Sequence, residues 1–245
     1  MIEGEYMYIN FTASICFFII ILIVLIDFMS KRKVNKLENK LFKTISILTL
    51  FGLILQAVIY GLFIGHYNFD NQNLILFNIC AKSLLLYYVV WMYFFVAYTY
   101  LVCFFKNHKS YRKFIFSETI IYLVYFILVL ALPFEIQMTN NNFIPLGAAT
   151  KFSYLIGGLG ILFVAICCLI KFKMLREKKY IPLIVCIVMA IVSIIMQHQF
   201  QDLLLMVPSH AIAVMFMYFT IENPDMAMIE QLNVARNQAE RANNA

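Results

Sequence analysis

Few side chains in this 245-residue chain are of a type that does chemistry, and most of those sit singly in long apolar runs. Lys82 stands in "NICAKSLLLYY", with Asn78 one helical turn before it. Gln56 interrupts "LILQAVIY", and Gln197, His198, Gln199 and Asp202 fill the short break "MQHQFQD". An ionisable or amide group inside such a run is a functional candidate, because something must offset its desolvation. Gln56, Asn78, Lys82, His198 and Asp202 fall at one expected depth, so they predict a polar cluster facing a signal-binding pocket. In the competing reading Lys82 snorkels to the interface and the break is simply wet. In "MVPSHAIAV" a histidine follows a proline. Pro208 inside a helix predicts a kink, and His210 beside it is a side chain that titrates near neutral pH. Asp27 and Glu118 lie close in sequence to basic segments, which predicts structural pairing for both.

Catalytic constellations are not found. The six cysteines all lie in apolar runs and form no C-x-x-C pair, so they read as small hydrophobes in packed helices. No metal site, catalytic residue or cofactor is indicated within the chain. An embedded enzyme calls for histidines or carboxylates clustered at one depth, and a retinal Schiff base calls for a lysine in the last span, which has none.

The elements that position these residues follow from composition. The chain is 63% hydrophobic and 13% charged, with a mean hydropathy of +0.84, far from the balance of a soluble domain. Seven apolar segments, at 8–28, 41–65, 74–105, 114–133, 153–172, 181–200 and 203–221, each approach the ~20 residues that cross a bilayer as a helix. The third predicts a tilted or overlong span. The runs are continuous and lack the alternation of a membrane barrel. Glycines of "GGLG" (157–160) predict close helix packing. The aromatic stretch "YYVVWMYFFVAYTY" predicts core, or the wall of an apolar pocket.

Lysines and arginines alternate from loop to loop. "KRKVNKLENKLFK", "KNHKSYRK" and "KFKMLREKK" hold six, four and five of them, while the intervening loops and the N-terminus hold only Lys151. Basic residues mark the cytoplasmic side, which predicts an outside N-terminus and a cytoplasmic C-terminus. The net charge of +6 is then topology rather than nucleic-acid binding. The N-terminus "MIEGEYMYIN" lacks the basic n-region of a signal peptide.

The predicted fold is all-α: seven transmembrane helices over residues 1–222, then a cytoplasmic helix over 223–245. Asn223, Pro224 and Asp225 read as a helix start. Met228, Leu232, Ala235, Ala239 and Ala242 follow at steps of four and three, the seam of a coiled coil and a predicted homodimer contact.

The tail "ENPDMAMIEQLNVARNQAERANNA" resembles the helix that joins a membrane sensor to the dimerisation domain of bacterial sensor histidine kinases. The "A-x-x-x-A-E-x-A-N-x-A" pattern carries the likeness, over about a tenth of the chain. The seven preceding spans are similar to that family's membrane sensor regions in number and orientation. The resemblance implies a two-component signalling module in a bacterial plasma membrane. Its ATP, Mg²⁺ and response regulator would belong to a kinase core beyond Ala245, since His66, His108, His198 and His210 lie in no phosphoacceptor motif. Two alternatives stand beside it: the sensor region of a diguanylate cyclase or phosphodiesterase, and a small membrane transporter.

Overall fold

A computed structural model of the chain describes residues 5–30, 37–65, 71–105, 107–138, 143–172, 180–199, 204–221 and 236. Among them are seven α-helices: α1 (Glu5–Ser30), α2 (Leu37–Gly65), α3 (Asn71–Phe104), α4 (His108–Ala131), α5 (Ala148–Ile170), α6 (Ile181–Gln199) and α7 (Met206–Ile221). Continuous apolar sequence favours this outcome in lipid, because a helix satisfies its own backbone hydrogen bonds. The protein is therefore all-α, as its sequence predicts. The coiled-coil seam, Met228, Leu232, Ala235, Ala239 and Ala242, lies outside the described residues, as does Asp202.

Five helices, α1 to α5, are long and apolar enough to cross a membrane. The apolar stretches of α6 and α7, Ile181–Met196 and Met206–Ile221, are shorter than the segments 181–200 and 203–221 of the sequence reading. The 16 residues of α7 reach about 24 Å, against ~30 Å of hydrocarbon. The 34 residues of α3 make it the longest helix.

Side-chain contacts fix an up-and-down arrangement. Phe28 meets Phe42 (ring centroids 4.5 Å apart) while Asn10 bonds Tyr60, so α1 and α2 run antiparallel. Phe63–Phe77 and Thr49–Trp91 do the same for α2 and α3. Tyr100–Phe114 at one end and Lys82–Leu130 at the other pair α3 with α4. Asn107 starts α4 by accepting a 2.8 Å hydrogen bond from the Ser110 N–H, which satisfies a free donor of the first turn.

The middle of the bundle is α3 and α7. Tyr87, Trp91, Phe95 and Tyr98 of α3 are buried, as are eight residues of α7 from Val207 to Met217. The outer helices expose their aliphatics: Ile19, Ile23 and Ile26 on α1, Ile120, Leu123 and Ile127 on α4. In water such surfaces would drive aggregation. Lipid tails accept them.

Between α4 and α5 the chain makes a small antiparallel hairpin, β1 (Glu135–Met138) with β2 (Phe143–Leu146), which pairs Glu135 with Leu146 and Met138 with Phe143. The sequence reading left this segment as a loop, because a four-residue strand carries too little periodicity to show. Gly147 closes the hairpin at φ +93°, and a Cβ there would stand 2.7 Å from the Pro133 carbonyl oxygen. The same carbonyl accepts from the Ala149 N–H at 3.1 Å, tying the start of α5 to the end of α4.

Candidate functional site

The best-formed site lies where α7 meets α3, α5 and α6. It is centred on His210, in the first turns of α7. The imidazole is buried and stacks on the indole of Trp91, with ring centroids 3.7 Å apart and planes 6° from parallel. Its Nδ1 lies 3.0 Å from the Tyr87 hydroxyl, one α3 turn from Trp91; which atom donates depends on the imidazole tautomer. Trp91 donates its indole N–H to Thr49 Oγ1 at 3.0 Å, so α2, α3 and α7 meet through one hydrogen-bonded aromatic chain. Gly52 on α2 lets the Tyr87 ring lie against its backbone: a Cβ there would come within 2.4 Å of the ring.

Next to this stack is a cavity of about 380 Å³. Trp91 and Met92 of α3 form one wall, Gly157 and Gly158 of α5 another, and Ser193, Ser209 and His210 supply its polar edge. Ser193 and Ser209 share a 2.6 Å hydrogen bond across α6 and α7, and Ser209 also donates to the Leu205 carbonyl at 2.8 Å. Such a space suits a small, mainly apolar molecule with one hydrogen-bonding group. "GGLG" contributes in two ways. A Cβ at Gly158 would meet nothing within 4 Å, and one at Gly157 only Met206 Cε at 3.9 Å, so these two leave room for the cavity. A Cβ at Gly160 would meet Met92 Cγ and Sδ at 2.4 Å, so this glycine lets α3 and α5 touch.

The start of α7 is held by a second set of bonds. Gln56 Nε2 donates to the Leu204 carbonyl at 3.1 Å, while Asn10 Oδ1 accepts from the Leu204 N–H at 3.3 Å. Asn10 Nδ2 donates to the Tyr60 hydroxyl at 2.9 Å. The Gln56 amide oxygen is buried and has no hydrogen-bond partner among the described residues. At the other end of α7, Tyr218 donates to the Asp27 carboxylate of α1. Asp27 is thus structurally bonded, as the sequence reading expected.

Three sequence expectations come out differently. Pro208 makes no kink. Because α7 begins at Met206, the proline lies in its first turn, where a backbone N–H has no intrahelical acceptor to lose. The polar residues near the shared depth divide between two tasks. Gln56 holds Leu204, whereas Lys82 donates to the Leu130 and Leu132 carbonyls at 2.7 and 3.4 Å. A cation there complements the carbonyl end of the α4 dipole. Asn78 is half-buried one turn before Lys82, and the side chain of His198 lies outside the described residues. Glu118 has no pairing partner among the described residues. It is 4% exposed, and neither carboxylate oxygen has a hydrogen-bond partner among the described residues.

Asn10, Thr49 and Ser193 were missed from the sequence. Each is a small polar residue in an apolar run, and such residues are common enough in apolar helices to carry little signal. The aromatic stretch did mark Tyr87 and Trp91. No protein-family model matches the chain, and no curated protein matches it.

Proposed function

We propose that the chain is the membrane-embedded sensing and transmission module of a bacterial sensor histidine kinase. The observation that carries this reading is the position of α7. This helix walls the cavity with Ser209 and His210, and its sequence continues into the kinase-like tail. A small molecule in the cavity contacts the helix that leads to the output. Its bonds to α1 at both ends, through Asn10–Leu204 and Asp27–Tyr218, support motion of α1 and α7 as a pair. A ligand shifts such an equilibrium only by binding one arrangement better than the other. The cavity supplies the contacts for that difference.

In this reading the membrane is a bacterial plasma membrane, the N-terminus is outside and the tail is cytoplasmic. The tail dimerises along Met228, Leu232, Ala235, Ala239 and Ala242. ATP, Mg²⁺ and the response regulator meet a kinase core that follows it. The test is disulfide crosslinking of single cysteines along 226–242, in membranes, on a cysteine-free background. Peaks at the five seam positions support the dimer, and their displacement on substituting His210 couples the tail to the cavity. Absence of crosslinks at every position would remove the transmission mechanism and bring the transporter reading forward.

A further inference from the structure

Glu118 is a buried carboxylate with no hydrogen-bond partner among the described residues. Only three residues of α4 are buried, Tyr111, Glu118 and Val129, on a helix that otherwise faces outward. Glu118 is the eleventh residue of α4 and the fifth of the apolar run that starts at Phe114, which puts its carboxylate within the hydrocarbon, toward the basic end of the helix. An unpaired carboxylate in such surroundings must gain a proton or a cation. A proton needs no space. Beside Glu118, however, is a cavity of about 260 Å³ between α4, α5 and α3, separate from the His210 site. Its wall includes Phe114, Tyr122, Tyr125 and Phe163. An acidic residue that shares a cavity wall with aromatic rings is an environment that favours an organic cation; both carboxylate oxygens are buried against that wall, so the ion is bound as the Glu118 side chain turns toward the cavity. A metal ion fits less well: hard cations take six or more oxygens, and no group of three ligating side chains is found among the described residues. Ser117, Ile121 and Leu159 of the wall are exposed on the outer face of α4 and α5, so the mouth opens toward lipid.

We infer that the Glu118 cavity is a binding site for a small lipophilic ammonium ion, admitted sideways from the bilayer. The carboxylate neutralises the nitrogen, and the rings take its apolar body and the outer face of its charge. This site does not depend on the sensor reading.

The probe is tritiated benzyltrimethylammonium, measured by equilibrium binding to the full chain in lipid nanodiscs. Its uncharged carbon counterpart, neopentylbenzene, serves as competitor. Saturable binding is expected, weakened at least tenfold by Glu118→Gln, several-fold by Tyr122→Leu, and little affected by neopentylbenzene. Tyr122→Leu keeps the carboxylate, so it reads the site even if Glu118→Gln misfolds. Equal binding by wild type and both variants would overturn the proposal, as would competition by the uncharged compound. Absence of saturable binding would overturn it as well, and an infrared band of protonated Glu118 would then make the occupant a proton.

Discussion

Gly160→Ala should destabilise the bundle by about 1–3 kcal/mol, because its new methyl group meets Met92 with no room to spare. Met92→Ala empties the space the new methyl needs, so Gly160→Ala should cost less in a Met92→Ala background than in the wild type, although Met92→Ala is destabilising by itself. Thermal unfolding followed by circular dichroism checks both. Thr49→Val should cost a similar amount for another reason. It leaves the buried Trp91 N–H without its acceptor, and a stranded donor costs about 1–3 kcal/mol. Gly158→Leu should behave in the opposite way. Nothing stands within 4 Å of its Cβ, so stability holds, but the cavity beside His210 is narrowed at its Gly158 edge. Cyclohexanol, an apolar ring with one hydroxyl, should show saturation-transfer contacts with wild type and lose them in this variant. Contacts retained in Gly158→Leu would place the alcohol elsewhere. At this scale the sequence was readable where a residue type is rare. The aromatic stretch and His210 were marked, and they do meet. Glu118 was misjudged because nearness along the chain is not nearness around a helix. Lys109 and Lys113 stand about 180° and 140° around α4 from it at 100° per residue, and both are exposed.

The elements were legible in outline because apolar runs and basic clusters alternate. Their contacts were not. In lipid the outward face is as apolar as the inward one, so no stripe of polar residues reveals how a helix is rotated. That is why α7 gave no sign of being central, and why Pro208 read as a kink until the start of the helix was known. Two bonds now define how α7 is held. Asn10→Ala should remove the acceptor of the Leu204 N–H and loosen the first turn by about 1 kcal/mol. Amide hydrogen exchange between Leu204 and Ser209 should quicken, while the middle of α3 stays protected. Unchanged exchange would mean that Gln56 alone suffices. Gly147→Ala acts on another joint. The positive φ and the Pro133 carbonyl both oppose a side chain there. The variant should lose about 1–3 kcal/mol, with the hairpin and the start of α5 exchanging sooner than α2.

For the molecule as a whole, the packing is uneven. Helices α1, α2, α3 and α7 share an aromatic and hydrogen-bonded interior, whereas α4 buries three residues and is held by hydrogen bonds to Tyr100, Tyr93 and Lys82 along α3. The two cavities lie on either side of α5, one reaching α7 and one opening beside α4. A molecule at Glu118 would therefore act on the least buried of the long helices, and one at His210 on a buried central one. One further property follows from composition and packing together. Trp91 is the only tryptophan in the chain, and it lies face to face with His210. Light emitted by indole in the pure protein comes from that single contact between α3 and α7. The native chain is its own optical gauge: the colour and lifetime of its emission read the position of α7 directly, without a label, in detergent or in whole membranes of purified protein.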